Sequence, residues 1–328
     1  KIKITDNCEF LADPKEMDAY LKSLRDGTFV VGQKTNVPEL DEYFRFKEAQ
    51  LVVVNGIDNT GKSSLIWYMG VLSAIFYKWR WAILSAENKI GGIKRKLIEF
   101  YLCQHIKDMK EEDFISASKW VDEHFCIIAN DELYSYKELL LMAKILHDKY
   151  KTNYCLIDPY NALIRDSENF HEHDYRAISE MRLFIKQTGC GIYLSCHAVT
   201  DSLRREYPKD HKYHGFPYPP GKGSTEGGAK FSNKADDFIT CHRLTQHPNE
   251  WNIMQIHIRK IKEMETGGRP TPMDEPVLIE MIPGGFGFQS VNSKTNPVLN
   301  FWNNTTATEK TIQSRNFYET KKEEDFEF

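Results

Sequence analysis

Long apolar runs and an excess of charge of either sign are both missing from this chain. No stretch of its 328 residues approaches the roughly 18 uninterrupted apolar residues of a membrane helix, so we expect no membrane contact. The net charge of −4 excludes a uniformly basic nucleic-acid-binding protein but remains compatible with a local basic loop. The N-terminus lacks the charged-then-apolar order of a signal peptide and also an initiator Met, so we expect a fragment or a processed product.

Paired cysteines are missing as well. The seven cysteines are an odd number and have no Cys-x-x-Cys spacing. Most of them lie in apolar runs such as 154–157 and 189–192, which is typical of buried free thiols in a reducing compartment. We therefore predict no disulfide framework, no zinc site and no primase zinc motif. We also predict a location in the cytoplasm, or in the host cytoplasm if the protein is viral.

From residue 51 onward, apolar strands alternate with helical sequence. The predicted strands of this part are 51–55, 81–85, 125–128, 153–158 and 191–195, and the predicted helices are 62–78, a helical stretch up to about 120, 135–149 and 173–187. Three further strands follow without intervening helices, at 237–242, 252–260 and 277–282. This order predicts an α/β fold with a mostly parallel central sheet, helices on both faces and antiparallel strands at the C-terminal edge.

The segments on either side of this core differ from it in composition. Residues 1–34 are predicted to be a linker with a short helix that begins at Asp13-Pro14 and ends at Gly27. This helix packs either on its own core or on a neighbouring subunit. Residues 35–290 are predicted to form the folded domain, and the polar residues 291–328 to form a weakly ordered acidic tail.

A phosphate-binding loop directly follows the first core strand. Gly56 and Gly61 enclose four residues, and Lys62 and Ser63 then open a helix, which is the context that makes this pattern specific. The glycines let backbone N–H groups face phosphates, Lys62 neutralises the β and γ oxygens of ATP, and Ser63 binds Mg²⁺. The predicted nucleotide-binding residues are Gly56, Asp58, Asn59, Thr60, Gly61, Lys62, Ser63 and Ser64.

Two acidic residues are candidates for the rest of the reaction. Asp158 ends an apolar strand and is predicted to bind Mg²⁺ together with Ser63, although an Asp before Pro159 more commonly starts a turn. Glu87 follows another strand, which we expect to lie beside the phosphate-loop strand, so that Glu87 orients or deprotonates the attacking water. From the residues alone, Glu87 is equally well explained as an acid at the start of the next helix.

Together these motifs resemble the RecA-type ATPase core of hexameric replicative helicases, closest to the branch of DnaB, Twinkle and the phage primase-helicases. The resemblance covers about residues 35–281 and implies that 35–290 is the RecA-like P-loop ATPase and helicase domain. The matching segments are 35–44, 56–63, 85–87, 156–158, 194–197, 227–236 and 258–268. The resemblance also implies that Glu87 is the catalytic glutamate and that Asp158 is the metal ligand.

The resemblance assigns three further positions near strand ends. His197 falls where the family senses the γ-phosphate and couples it to the DNA loops. Lys260 and Lys262 fall where basic residues reach the ATP of the neighbouring subunit. Lys262 stands in place of the expected arginine finger and cannot make the two-pronged contact of a guanidinium, so Arg259 is the substitute if the register is shifted.

The segment 200–231 lies where the resembled family has its central-channel DNA loops. Its basic residues are suited to phosphates and its aromatic residues to stacking on unpaired bases, although a solvated insertion without a DNA role is the alternative. The predicted DNA-binding residues are Arg204, Arg205, Lys209, Lys212, Lys222 and Lys230, and the aromatic residues between them are Tyr207, Tyr213, Phe216 and Tyr218. His171, His173 and Asp174 are interpreted as part of a polar loop before a helix and not as a metal cluster.

We therefore predict an ATP- and Mg²⁺-dependent DNA helicase motor that forms a ring, expected to be a hexamer, and translocates on single-stranded DNA in replication. The alternatives are a filament-forming recombinase of the RecA/RadA type and a non-motor module whose DNA binding or assembly is switched by ATP. The acidic end 319–328 resembles the terminal peptides of single-strand-binding proteins and some phage helicases. It is either a docking peptide for a polymerase or loader or an ordinary disordered end.

Overall fold

The computed structural model of the chain describes residues 11, 13–29, 31–165 and 169–305. The acidic end 319–328, with its predicted docking role, lies outside these residues, as does Cys8. The six cysteines within the described ranges are free thiols. No helix in those ranges is long and apolar enough to span a bilayer.

A single nine-stranded sheet forms the centre of the described chain. Its strands are β1 Leu51–Gly56, β2 Trp81–Ser85, β3 Phe125–Ile127, β4 Tyr154–Asp158, β5 Gly191–His197, β6 Asp237–Arg243, β7 Ile253–Ile261, β8 Val277–Met281 and β9 Phe288–Ser290. They are ordered β3-β2-β4-β5-β1-β6-β7-β8-β9. The pairings from β3 to β6 are parallel, and those from β6 to β9 are antiparallel. This confirms the predicted mostly parallel sheet with antiparallel strands at one edge.

Helices cover both faces of the sheet. They are α1 Pro14–Arg25, α2 Pro38–Asp41, α3 Lys62–Tyr77, α4 Ile90–Leu102, α5 Glu111–His124, α6 Tyr136–Tyr150, α7 Phe170–Thr188, α8 Lys230–Lys234 and α9 Pro297–Asn304. The helical stretch predicted up to about 120 is divided in two, because Cys103 adopts a left-handed conformation with φ 53° at the end of α4. Helix α7 begins earlier than predicted, since the side chain of Asn169 caps its first turn.

The alternation of side chains along β1 divides the core into two layers. Val52 and Val54 face the layer that contains α3, α4 and α5, whereas Leu51 and Val53 face the layer that contains α6 and α7. Nearly the whole of α3 from Leu65 onward is buried, because the helix lies between the sheet and α4. A helix that is apolar all round is typical of such a central position. The phosphate loop therefore joins a fully buried strand to a helix that is buried along most of its length.

The two ends of the described chain behave differently. Helix α1 has no buried residue, so it does not pack on its own core within the described chain. Helix α9 does pack on the core: Val298 is fully buried, and the indole N–H of Trp302 donates to the carbonyl oxygen of Tyr101 at 2.7 Å. The predicted domain end at 290 is therefore too early, because apolar contacts continue through α9.

Candidate nucleotide-binding site

The phosphate loop is a sharp turn between β1 and α3. Gly61 adopts φ 91°, which favours glycine, and a Cβ atom on Gly56 would lie 2.4 Å from the carbonyl oxygen of Cys241. The ammonium of Lys62 is buried and donates to the carbonyl oxygens of Gly56 and Ile57, both at 2.9 Å. Burial lowers the pKa of Lys62. An anion placed at this loop would restore the charge balance that the buried ammonium lacks.

The other predicted nucleotide-binding residues surround that lysine. Asp58 and Asn59 are exposed at the tip of the loop, and the hydroxyl of Thr60 donates to the carbonyl oxygen of Ile57 at 2.8 Å. Ser63 and Ser64 lie half-buried in the first turn of α3, where backbone N–H groups and the helix dipole favour phosphate. The loop residues present therefore fit a nucleoside triphosphate.

Asp158 ends β4 at the same edge of the sheet. Its carboxylate is buried and accepts a hydrogen bond from the hydroxyl of Ser85 at 3.1 Å. Across the described chain, no group of three or more His, Cys, Asp or Glu side chains gathers into a metal site. Mg²⁺ commonly takes one or two carboxylates and completes its shell with phosphate oxygens and water. Asp158 and Ser63 fit that kind of site, which is built around the nucleotide.

His197 joins the phosphate loop to Glu87. It ends β5 beside Gly56 in the strand register. Its Nδ1 contacts the carboxylate of Asp58, and its Nε2 lies 3.7 Å from the Oε1 of Glu87. We expected Glu87 to follow a strand beside β1, and this was wrong, because β4 and β5 lie between β2 and β1. Glu87 nevertheless reaches the phosphate loop through His197.

The turn that carries Glu87 is held by a hydrogen-bond network that the sequence analysis missed. The side-chain amide of Asn130 donates to the carbonyl oxygens of Ser85 at 2.6 Å and of Asn88 at 2.7 Å. The Asn88 amide donates to the Ser85 hydroxyl at 2.9 Å, and that hydroxyl donates to Asp158. One signal for Asn130 was available: it follows β3, and the carboxyl ends of parallel strands meet at one edge of the sheet.

Arg243 is a second residue that sequence reasoning missed. It ends β6, and its guanidinium donates to the carbonyl oxygen of Asn59 in the phosphate loop at 2.6 Å. Burial lowers its pKa. Its position at the carboxyl end of the strand beside β1 was the available signal. The phosphate loop is therefore flanked by His197 on one side and by Arg243 on the other.

The three residues predicted to reach a neighbouring subunit do not share one environment. The ammonium of Lys260 donates to three main-chain carbonyl oxygens around the end of α8, at 2.7 to 3.1 Å. Lys262 pairs with Asp236 at 3.1 Å while 48% of its side chain stays exposed. Arg259 is the unmatched residue of a β-bulge, since Phe238 pairs with Lys260 and the next residue of β6 pairs with Ile258. Lys262 is the most accessible of the three candidates.

Five of the six basic residues predicted to bind DNA are exposed, namely Arg204, Arg205, Lys209, Lys212 and Lys222. Lys230 is not. Its side chain is 7% exposed, and its ammonium lies 3.1 Å from the carboxylate of the buried Asp174, which also accepts a hydrogen bond from the hydroxyl of Tyr160 at 2.8 Å. We therefore withdraw Lys230 from the DNA-binding set. His171, His173 and Asp174 lie in the first turns of α7, not in a loop before it.

The aromatic residues of the segment 200–231 also differ from the prediction. Tyr207 and Tyr213 are 6% and 5% exposed, and they form a small apolar cluster with Leu244, Phe216 and Tyr218. Rings packed in this way are not free to stack on a strand that passes over the surface. The segment is consequently a folded cover over β6 and β7 with an exposed basic surface.

Comparison with known proteins supports the resemblance inferred from the motifs. A Twinkle homolog protein, chloroplastic/mitochondrial, of Arabidopsis thaliana is 27% identical over 271 residues. The match covers 77% of this chain but only 36% of that protein, so the chain spans little more than a third of the length of this relative. No protein-family model matches the chain.

Solved structures share the fold. One of them, an isolated ATPase domain, superimposes with a TM-score of 0.66 at 14% identity, covering 86% of this chain and 100% of that one. A DnaB-like replicative helicase, studied with its interactions with primase, gives 0.63 at 13% identity over 85% of this chain and 66% of that one. A KaiC-like protein of Pyrococcus horikoshii OT3 superimposes with a TM-score of 0.52 at 15% identity, covering 78% of this chain and 98% of that one. The predicted RecA-like fold is confirmed.

Proposed function

We propose that this chain is the motor domain of a ring-forming DNA helicase, which hydrolyses ATP to move along single-stranded DNA during replication. The match to a Twinkle homolog protein and the fold shared with a DnaB-like replicative helicase support the class of protein. The phosphate loop, the buried Lys62 and the two acidic residues at neighbouring strand ends support the reaction. A six-membered ring is the assembly we expect.

Each residue of the site has a separate task in this proposal. Lys62 and the loop N–H groups bind the phosphates, and Glu87 accepts the proton of the attacking water. Ser63 and Asp158 hold Mg²⁺, which neutralises charge on the phosphate oxygens when it is bound. Asn130 keeps the Glu87 turn in place through the carbonyl oxygens it binds.

One observation carries the coupling between this site and DNA. The side chain of His197 touches the carboxylates of Asp58 and Glu87, while its carbonyl oxygen accepts a hydrogen bond from the N–H of Glu226 at 2.8 Å. The next residues continue the contact, since the N–H of Val199 donates to the carbonyl oxygen of Ser224 at 2.8 Å. A shift of His197 with the state of the γ-phosphate therefore displaces the end of the segment 200–231.

Two further features favour an assembly of several copies. Helix α1 leaves an apolar stripe exposed, formed by Met17, Tyr20, Leu21 and Leu24. A stripe of this kind is usually covered by another surface. Lys262 remains half-exposed at the end of β7 and is our candidate for the residue that reaches the ATP of a neighbouring subunit, with Lys260 and Arg259 as alternatives. A polymerase or loader bound through 319–328 remains a proposal about residues outside those described.

Steady-state ATP hydrolysis with and without single-stranded DNA tests the proposal. The wild-type chain should turn over ATP repeatedly and faster with DNA. Glu87→Gln should lower the rate by about 10²–10⁴-fold, because the general base is lost, while ATP binding is retained. Glu112→Gln, an exposed residue in the first turn of α5, is the matched control and should leave the rate unchanged.

Two outcomes would redirect the proposal. A rate that does not respond to single-stranded DNA would favour the module that ATP merely switches. Particle shape, observed by electron microscopy with an ATP analogue and DNA, distinguishes a ring-forming helicase from a filament-forming recombinase. Closed rings agree with a helicase, whereas helical filaments would favour a recombinase.

A further inference from the structure

A cleft lies where the chain between residues 205 and 220 folds over β6 and β7. It encloses about 170 Å³, several times the roughly 30 Å³ that one water molecule occupies in the liquid. Its lining comes from this cover, from β7 and from the connection between β7 and β8. The cleft is separate from the phosphate loop, and the mechanism proposed above makes no use of it.

The floor of the cleft is polar, although it is deeply buried. Gln255 and His257 share one face of β7 and are 4% and 2% exposed. The Nε2 of His257 lies 3.4 Å from the Oε1 of Gln255, and its Nδ1 has no hydrogen-bond partner among the described residues. Burial lowers the pKa of His257 well below its usual range, so the ring is neutral at pH 7. A buried ring nitrogen without a partner is unfavourable in a folded protein, and a polar ligand atom would satisfy it.

The walls of the cleft are flat and fixed. The ring of Tyr207 stacks on that of His211, with centroids 4.4 Å apart and planes 15° from parallel, and Tyr218 meets Tyr207 edge-on at 5.0 Å. The Tyr207 hydroxyl donates to Gln255 at 3.0 Å. Rigid aromatic walls of this kind suit a planar ring better than a flexible chain.

The rim carries charges of both signs. Lys212 lies on it together with the carboxylates of Asp274 and Glu275, which only accept hydrogen bonds when ionised. Arg259, the bulged residue of β7, is half-buried and has Tyr218 and Asp274 as electrostatic neighbours. The rim therefore offers acceptors to the amino groups of a ligand and the ammonium of Lys212 to an attached phosphate, with Arg259 close to the lining but not part of it.

We propose that this cleft binds one unstacked nucleobase that carries an exocyclic amino group, together with its phosphate. Adenine, cytosine and guanine present such a donor, whereas thymine and uracil do not. The base has two sources: single-stranded DNA, in which case the inference rests on the proposed function, or a free nucleotide, in which case it does not. In the DNA case the cleft gives an otherwise sequence-tolerant motor a preference for amino-bearing bases.

The test compares matched oligo-dC and oligo-dU strands, neither of which carries a methyl group on the base. Cytosine has an exocyclic amino group and an acceptor N3, whereas uracil has a carbonyl oxygen and an N3–H at these positions. Fluorescence anisotropy is measured on the full chain with Mg²⁺ and a non-hydrolysable ATP analogue. We expect the wild type to bind oligo-dC about tenfold more tightly than oligo-dU. His257→Leu removes the polar floor and Glu275→Ala removes a hydrogen-bond acceptor from the exposed rim, and both should bring the ratio of the affinities close to one. Glu265→Ala, exposed and outside the cleft lining, should keep the tenfold ratio.

A second arm uses dCMP and dUMP in place of the strands. Binding of dCMP that is lost in Glu275→Ala, without any preference for oligo-dC, would identify a free nucleotide as the source and overturn the DNA source. An oligo-dC preference that survives both cleft variants, or no preference and no dCMP binding, would overturn the cleft itself. Failure of the proposed function is a distinct result. In that case single-stranded DNA would leave the rate of ATP hydrolysis unchanged, whereas dCMP binding would still test the cleft.

Discussion

The phosphate loop and the segment 200–231 were both interpreted from sequence alone. The loop residues lie where the sequence places them, whereas several residues of the segment that were expected to be exposed are buried. In the loop, every predicted residue lies at the turn between β1 and α3, with Lys62 buried against Gly56 and Ile57. In the segment, Lys230 is in a buried ion pair, and the tyrosines form a cluster. A motif with fixed spacing specifies backbone geometry, whereas the composition of a long segment does not specify which side chains reach the solvent.

The largest effect that we expect from this comparison concerns Lys230. Lys230→Met leaves the carboxylate of Asp174 buried with one positive partner fewer, and we expect the free energy of unfolding to fall by about 3 kcal/mol. Urea unfolding measures the change. Lys222→Met, at an exposed lysine of the same segment, is the control and should change the free energy of unfolding little. Equal losses in the two variants would remove the distinction between buried and exposed lysines.

Lys62 provides the corresponding test in the phosphate loop. Lys62→Ala should lower kcat/KM for ATP by about 10²–10³-fold, because a preorganised cation at the phosphates is lost. Because burial already disfavours the charged form of Lys62, we expect the variant to lose activity while its thermal stability is unchanged. Lys144→Ala, exposed and paired with Asp148 on α6, is the control. A variant that unfolds would show that the lysine is structural, as Lys230 is.

Asn130 extends the test to a residue that does not touch the nucleotide in this account. Asn130→Ala frees the carbonyl oxygens of Ser85 and Asn88, and the Glu87 turn loses its anchor. We expect kcat to fall by about 10–100-fold with the KM for ATP nearly unchanged. A purely structural role would lower stability and leave kcat per folded molecule unchanged. Asn249→Ala, exposed between β6 and β7, is the control.

The smallest expected effect is on the exposed basic surface. If Lys222 contacts a DNA phosphate, Lys222→Ala should lower the slope of log affinity against log salt by about 0.7 in magnitude, the value for one phosphate contact on a single strand. Titrations at several salt concentrations measure the slope. Lys230→Met should not change the slope, provided that the variant remains folded. A change of the slope in Lys230→Met alone would reverse our assignment.

Most of the fold was predictable because the strands are continuous apolar runs and the helices have clear starts and ends. Strand order was harder, since the pairing of β2 with β4 depends on contacts between residues far apart in the chain. Helix α9 was missed because its sequence, Pro297–Asn304, is short and rich in asparagine. Its order comes from packing on Tyr101 and its neighbours, which no local pattern encodes.

The candidate site divides in the same way. Gly56, Gly61 and Lys62 were found because their spacing is a property of the backbone turn. Asn130 and Arg243 were missed because each acts through a carbonyl oxygen of a distant segment, and such contacts are independent of local sequence. Lys230 was misassigned for the same reason, since Asp174 lies in another helix.

The contact of His197 with Asp58 and Glu87 is the centre of this account, and the most direct measurement is the affinity for single-stranded DNA in two nucleotide states. With wild-type protein, affinities measured with an ATP analogue and with ADP should differ by about tenfold or more. His197→Asn, which is too short to touch both carboxylates, should bind both nucleotides but hold DNA equally in the two states. A His197→Asn variant that keeps the full nucleotide dependence would contradict the coupling of the phosphate loop to the segment 200–231.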